Sequence, residues 1–367
     1  MEYAGRSALI AMSGGVDSSV AAYLMMQKGC SVSGVTMRLY RNEDIGLSSY
    51  HTCCSQKDID DAEEVAFRLD IPFDVPDYTA SFKANVIDKF VRIYEEGGTP
   101  NPCIDCNRYM KFEKLLSYAD EHGLDYVVTG HYARIEYDEE RGRYLLKKAV
   151  YSDKDQSYVL YMLTQEQLSR ICFPLGGLQK SEVREIAESI GFRNARKHDS
   201  QDICFVPDGD YASFIEKYTG KTQQEGSFLN VDGERIGTHK GAIRYTTGQR
   251  KGLGIALGQP AYVISKDMAN NTVTLGREEY LFSDTVYVND LNWISVPDLT
   301  EPMRVKAKIR YRQQEQPATI SPAEGGKVMI KFDAPQRAAT AGQAAVFYDG
   351  DTVVGGGCIC GVGDTNA

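Results

Sequence analysis

The sequence predicts an α/β protein: a doubly wound parallel sheet in the first two hundred residues, then a small mixed region and an all-β module. Three observations predict it. Short apolar runs alternate with stretches of helical periodicity up to residue 205. Glycine turns then crowd the stretch from Asp208 to Arg277. From Leu281 to the end the pattern is strand-like with short turns, which suits a small barrel or a sandwich. The expected parts are 1–205, 206–280 and 281–367.

Ala8 to Met12 is an apolar run that ends in a glycine turn, and Val16 to Lys28 reads as a helix stopped by Gly29. Val32 to Leu39 is the next expected strand. Ile59, Ala62, Val65, Ala66 and Leu69 recur at helical spacing, as do Phe82, Val86, Ile87, Phe90, Val91 and Tyr94. Phe112, Leu115, Leu116 and Ala119 form a third stripe, Asp125 to Thr129 another buried-type strand, and Val183 to Ile190 a further helix. In parallel sheets ligands bind at the carboxyl ends of strands, where the loops bearing Ser13, Cys106 and Gly130 should converge.

The 367 residues are 42% hydrophobic and 25% charged, which excludes a disordered or collagen-like chain. No run approaches the roughly 20 apolar residues of a membrane helix, and the opening residues lack the apolar core of a secretory signal. The expected compartment is the reducing cytoplasm, with nine cysteines kept as thiols for chemistry, metal or packing. A net charge of −10 argues only weakly against nucleic acid, because a local basic stripe can bind RNA on an acidic protein.

Ser13-Gly14-Gly15-Val16-Asp17-Ser18-Ser19 lies between an apolar strand and an amphipathic helix. Its glycines let backbone N–H groups close around phosphate oxygens, the helix N-terminus adds positive partial charge, and Ser13, Ser18 and Ser19 can donate further hydrogen bonds. The kinase-type loop with its phosphate-gripping lysine is absent, and so is G-x-G-x-x-G. The competing reading is a plain strand–turn–helix junction in which Asp17 caps the helix. Residues 13–18 resemble the S-G-G-x-D-S signature of the PP-loop ATP pyrophosphatases, which cleave ATP between the α- and β-phosphates to adenylate a carbonyl oxygen. That resemblance implies a loop holding the leaving pyrophosphate and an Asp17 that helps position Mg²⁺. It leaves the acceptor open.

The cysteines narrow it. Cys106, in Thr99-Pro100-Asn101-Pro102-Cys103-Ile104-Asp105-Cys106, is expected at a helix start, where the dipole raises the thiolate fraction. Cys204 follows in Asp199 to Phe205, where the α/β region ends. Two thiols beside an adenylating site suit sulfur transfer, one carrying a persulfide and the other resolving it. Zinc or an iron–sulfur cluster held by Cys103, Cys106 and Cys204 is the competing reading, with Cys53 and Cys54 as further sulfur. Cys30 and Cys172 read as packing residues, and Cys358 and Cys360 as buried on one face of a strand.

AMSGGVDSS, GVTMRLY, TPNPCIDCNRYMKF, VTGHYAR, SDKDQSYVLY, KHDSQDICFV, TTGQRKGLG, RVKAKIRYR and AGQAAVFY together resemble the bacterial tRNA-specific 2-thiouridylases over essentially the whole chain. The resemblance implies a PP-loop domain (adenine nucleotide hydrolase-like), a small central tRNA-contacting domain and a C-terminal β-barrel. It implies ATP-dependent sulfur transfer to carbon 2 of a wobble uridine in tRNA. By position, Cys106 falls on the nucleophile and Cys204 on the persulfide cysteine, the two forming a disulfide during turnover. Ala11, Met12, Ser13, Gly14, Gly15, Val16, Asp17, Ser18, Met37 and Gly130 fall on ATP contacts. Asn101, Pro102 and Cys103 fall on the segment facing the target base, and His131, Lys154, Asp155, Gln156, Arg310, Tyr311 and Gln343 on tRNA contacts. The implied partners are tRNA and a persulfide-carrying sulfur donor, a cysteine desulfurase or relay protein; no membrane is implied. Some relatives carry an aspartate with a proposed acid/base role at the place of Cys103. The cysteine leaves that role open, with Asp105 as a speculative substitute.

Independently of the resemblance, Arg304, Lys306, Lys308, Arg310 and Arg312 alternate with Val305, Ala307, Ile309 and Tyr311, so one strand face would carry five cations. Such a line suits phosphates, although alternating charge also marks an ordinary solvated face. Arg244, Arg250 and Lys251 make a weaker patch. Two rivals remain at this point: a PP-loop ligase acting on a small molecule, which needs no thiols, and a non-catalytic RNA-binding protein with a degenerate nucleotide site.

Overall fold

The computed structural model describes residues 3–41, 56–197, 203–206 and 208–363. Its first sheet is parallel and runs in the order β3-β2-β1-β4-β7, with β1 Ser7–Ala11, β2 Ser31–Val35, β3 Phe73–Asp74, β4 Tyr126–Val128 and β7 Ile171–Cys172. Strand β1 is central, pairing Leu9 with Ser33 on one side and Val127 on the other. Ala8, Leu9 and Ile10 are therefore covered on both faces, as a continuous apolar run requires.

Helices α1 (Val16–Gln27), α2 (Gln56–Leu69) and α6 (Lys180–Ile190) bury Val20, Met25, Ala62, Val65 and Val183 in one core cluster with Ile10 and Val128. A second cluster receives helices α3 (79–95) and α4 (102–121) through Phe82, Phe90, Met110 and Leu115. Two π-helical stretches, Lys83–Ile87 in α3 and Cys106–Lys114 in α4, interrupt these helices. Helix α5 (Gln165–Ser169) starts in a capping box built by Thr164 and Gln167. The expected strand 32–39 is shorter: it ends at Val35, and Arg38 makes only an isolated bridge to Asp77.

The central stretch holds helix α7 (Tyr211–Thr219) and a four-stranded sheet, β10-β11-β8-β9, made of β8 Gly226–Leu229, β9 Arg235–His239, β10 Tyr262–Asp267 and β11 Thr272–Gly276. Beyond it, β12 Phe282–Trp293, β13 Met303–Lys308, β14 Gln316–Ala323, β15 Lys327–Arg337, β16 Ala344–Asp349 and β17 Thr352–Val362 pair in sequence around a closed barrel. The β12–β17 ladder completes the circle, so the barrel, and not the sandwich, is the outcome. Val286, Val305, Ala318, Ile330, Phe347 and Ile359 fill it.

One connection was not foreseen. The hairpin β5 (Ala133–Asp138) and β6 (Arg143–Lys148) leaves the parallel region and extends the barrel sheet, Lys147 pairing with Thr352. Arg134 joins Asp351, and the Lys148 N–H reaches the Asp351 carbonyl at 2.8 Å. The barrel is thereby fixed against the region that carries Gly130 and His131. Among the described residues no helix is long and apolar enough to cross a membrane.

Candidate active site

The phosphate loop grows from the end of β1. The Met12 N–H donates to Val35 at 2.8 Å and the Met12 carbonyl accepts from Thr36 Oγ1 at 2.6 Å, so the chain leaves the sheet in a fixed direction. The Ser18 hydroxyl donates to the Gly15 carbonyl at 3.1 Å and accepts from the Ser13 N–H at 3.1 Å, folding the loop on itself. Gly14 has φ +69°, and a Cβ there would run into the carbonyl of Asp58. Gly130, at the end of β4, packs on the backbone of Asp17 and Ser18 with no room for a Cβ. Ala11 and Met37 border the same apolar cluster. The expected nucleotide residues 11–18, 37 and 130 thus meet at the carboxyl ends of β1, β2 and β4.

Asp17 is not the helix cap. It lies inside the first turn of α1, after an extended Gly15 that makes no side-chain cap. Its carboxylate is held by Lys180 Nζ at 2.7 Å to both oxygens and accepts from Tyr132 Oη at 2.7 Å. The loop therefore has lysines after all, supplied from far along the chain: Lys180 opens α6, and Lys197 donates to the Gly14 carbonyl at 3.1 Å. Nothing in the local pattern around either lysine points to the loop, and sequence reading missed both, together with Tyr132 and Asn194. Both Asp17 oxygens hold a lysine where a metal ligand was expected, so no step below runs through Mg²⁺.

Cys106 does not start its helix. Helical structure begins at Pro102, preceded by Asn101, and Cys106 opens the π-helical stretch one turn later. Two factors move the start forward: Pro102 is preorganised for a first helical position, and the Asn101 carbonyl accepts from the Ile104 N–H at 3.1 Å. The helix-terminus argument then applies to Cys103, which is exposed. Cys106 is half-buried at the rim of the cluster that contains Val35, Met110 and Phe205, and Cys204 borders that same cluster. Tyr40 Oη donates to the Cys204 carbonyl at 2.9 Å. Phe205 is buried edge-on to Phe90 with ring centroids 5.1 Å apart. The two thiols and the exit of β1 thus share one apolar floor.

Asp105 does not take the open acid/base role. It is buried and bound to Lys89 Nζ at 2.6 Å. Burial raises its carboxyl above the ordinary value, while the Lys89 charge opposes the rise. Its task is to tie α4 to α3. An iron–sulfur or zinc site does not fit this arrangement either: among the described residues no three His, Cys, Asp or Glu side chains are grouped to hold a metal ion. Cys53 and Cys54 lie outside the described residues. Cys30 is buried as expected, but between Cys358 and Cys360 the buried residue is Ile359; Cys358 is half-buried and Cys360 exposed.

The residues expected to face RNA form a connected rim. Gln343 Nε2 donates to the carbonyls of Thr99 at 2.8 Å and Pro100 at 3.4 Å, and the Thr99 N–H donates to Ala341 at 2.9 Å. Tyr311 Oη reaches the Asp155 carbonyl at 3.4 Å, and Gln156 Oε1 accepts from the Tyr132 N–H at 3.0 Å. Lys154 opens this same 154–156 turn. His131 is buried between Phe112 and Phe173, its Nδ1 2.6 Å from Thr129 Oγ1. Burial, with the Lys111 charge, pushes its pKa well below the usual value and keeps the ring neutral.

The five-cation stripe is broken. Strand β13 ends at Lys308, so Arg310 and Arg312 lie in the following turn. Arg304 pairs with Asp333, Lys308 packs over the Tyr158 ring, and Arg310 Nη2 donates to the Ala338 carbonyl at 2.6 Å. Period two failed because the partners on β15 and the turn at Ile309 were invisible in the run itself. Arg244 likewise is paired with Glu216 at 2.9 Å, while Arg250 and Lys251 are exposed.

Residues 6–208 match a family model described as the tRNA methyl transferase HUP domain. Residues 212–277 match the tRNA methyl transferase PRC-barrel domain and 283–359 the aminomethyltransferase beta-barrel domain. The tRNA-specific 2-thiouridylase MnmA of Acetivibrio thermocellus is 51% identical over 355 residues, 96% of this chain and 99% of its own. The tRNA-specific 2-thiouridylase MnmA 1 of Thermoanaerobacter sp. is 53% identical over 352 residues, 96% and 97% of the two chains. The protein of the same name, MnmA, from Clostridioides difficile is 50% identical over 357 residues, covering 97% and 99%.

Proposed function

The chain belongs to the tRNA-specific 2-thiouridylase family, and from that premise we propose that it is an ATP-dependent tRNA sulfurtransferase that makes 2-thiouridine at the wobble position. The observation that carries the reading is the shared floor: Cys106 and Cys204 border the apolar cluster that Ala11, at the mouth of the phosphate loop, also borders.

In this reading the loop Ser13–Ser18 holds the pyrophosphate portion of ATP through backbone N–H groups and hydroxyls. The uracil oxygen at carbon 2 attacks the α-phosphorus, pyrophosphate leaves, and the proton of N3 is lost. The terminal sulfur of a Cys204 persulfide then attacks carbon 2 and AMP departs. Cys106 takes one of two routes. It attacks the Cys204 sulfur, leaving sulfur on the base and a Cys106–Cys204 disulfide that a thiol reductant reopens, or it first frees the persulfide sulfur as hydrosulfide. The apolar floor favours both, because it keeps water from the adenylated base.

Asn101, Pro102, Cys103, His131, Lys154, Asp155, Gln156, Arg310, Tyr311 and Gln343 are the proposed RNA rim. Its support is the chain of contacts that joins Tyr311 to Asp155, Gln156 to Tyr132 and Gln343 to Thr99. A persulfide-carrying donor protein supplies sulfur to Cys204, working in the reducing cytoplasm. The parts 1–205, 206–280 and 281–367 would then divide nucleotide chemistry, RNA contact and barrel support.

The test is the full chain with tRNA, ATP and a persulfide donor, followed by nucleoside chromatography. Formation of 2-thiouridine with equal amounts of AMP and pyrophosphate is expected. A methylated nucleoside, or AMP formed without any thionucleoside, would overturn the reading.

A further inference from the structure

Asn194 and Lys197 lie on and just beyond the turn Arg193–Arg196, and both reach one backbone oxygen of the phosphate loop. Asn194 Nδ2 donates to the Gly14 carbonyl at 3.2 Å and to Ser19 Oγ at 2.9 Å. Lys197 Nζ donates to the same carbonyl at 3.1 Å, and also to Asp58 Oδ1 at 2.7 Å and Asp61 Oδ2 at 2.5 Å. A trans peptide points its C=O and its N–H in opposite directions. Anchoring the Gly14 oxygen on one side therefore turns the Gly15 N–H toward the other, into the mouth of the loop.

We propose that Asn194 and Lys197 form a bracket that fixes the Gly14–Gly15 peptide so that the Gly15 N–H faces the pyrophosphate portion of the bound nucleotide. They are positioning residues and touch no substrate. The proposal rests on the reading that the loop holds pyrophosphate.

Three observations support it. Gly14 adopts φ +69°, a conformation that leaves its peptide free to rotate in the absence of an external hold. Asn194 is buried, and its Oδ1 has no partner among the described residues although both Nδ2 contacts are made. A buried orphan acceptor is costly, so this asparagine serves the chain through its donor side. Lys197 also neutralises Asp58 and Asp61, two carboxylates that would otherwise repel a polyanion at the loop.

The test is equilibrium binding of α,β-methylene ATP, inorganic pyrophosphate and AMP to the full chain and to Asn194→Ala, Lys197→Met and Lys197→Arg. The bracket predicts about a tenfold loss for the ATP analogue and pyrophosphate in Asn194→Ala and Lys197→Met, the size of one lost hydrogen bond. It predicts unchanged AMP binding and near-complete rescue by Lys197→Arg. Equal losses for all three ligands would reduce both residues to general scaffolding and overturn the proposal. Full restoration of pyrophosphate binding to Lys197→Met by adding Asp58→Asn and Asp61→Asn would also overturn it, because charge alone would then explain the effect. If Asn194→Ala fails to fold, the Lys197 series decides alone. A wild-type chain that binds AMP as tightly as the ATP analogue would instead remove the loop reading on which the bracket stands.

Discussion

The hydroxyl of Tyr40 donates to the carbonyl of Cys204 at 2.9 Å, joining residues 164 positions apart in the chain. Tyr40 is buried in the cluster that also receives Cys106, and its ring lies 5.8 Å from that of Phe82. The hydroxyl thus holds the persulfide cysteine's own peptide at the edge of the apolar floor. Tyr40→Phe keeps the ring and removes that hold. We expect thiolation turnover to fall several-fold, consistent with about 1 kcal/mol for one hydrogen bond, with ATP affinity unchanged. Single-turnover thiolation and ATP binding measured side by side check this; equal losses in both would contradict it.

Phe205 anchors the same segment from the other side. It is fully buried and meets Phe82, Phe90 and Phe214 with centroids 5.8, 5.1 and 5.4 Å apart. Phe205→Ala should cost about 3–4 kcal/mol of stability, read by urea unfolding. Phe205→Leu, which refills most of the volume, should cost less than half of that.

Lys180 and Asp17 form a pair whose side chains are 11% and 28% exposed, so neither charge is well solvated. Lys180→Met leaves the Asp17 carboxylate facing the bound phosphates with only Tyr132 to moderate it. We expect kcat/KM for ATP to drop about 10²-fold, and adding Asp17→Asn to recover part of the loss. Steady-state kinetics on the three variants would show the coupling, and purely additive losses would refute it.

Stability should depend on pH through His131 and His239. Burial lowers both pKa values from the ordinary 6.5. The unfolded chain then binds more protons than the folded one as pH falls below that value, so stability is full above about pH 7 and declines progressively toward acid. Urea unfolding at pH 7.5 and 5.5 measures the decline. The slope should become shallower in a His131→Gln variant, and a slope unchanged by that substitution would show that His131 is not its source.

Fold class was legible because β1 and β4 are apolar runs with no polar interruption, and helices such as Gln56–Leu69 keep strict periodicity. The candidate site was legible where chemistry is local, in the serines and glycines of residues 13–18. It was illegible where a partner arrives from elsewhere. Lys180, Asn194 and Lys197 reach the loop across more than 160 residues, and no local pattern announces that. The same holds for Asp333, which occupies Arg304, and for Lys89, which occupies Asp105. The start of α4 was misread by one turn because Cys106 drew attention from Pro102, the residue that nucleates the helix.

The central claim is that Cys106 and Cys204 jointly deliver sulfur to a base activated by ATP. Its most direct measurement is nucleoside chromatography of tRNA incubated with ATP, a persulfide donor and either Cys106→Ser or Cys204→Ser, with ATP binding measured in the same preparations. The account predicts no 2-thiouridine from either variant and ATP affinity equal to that of the unaltered chain. Ordinary 2-thiouridine yield from either variant would contradict it.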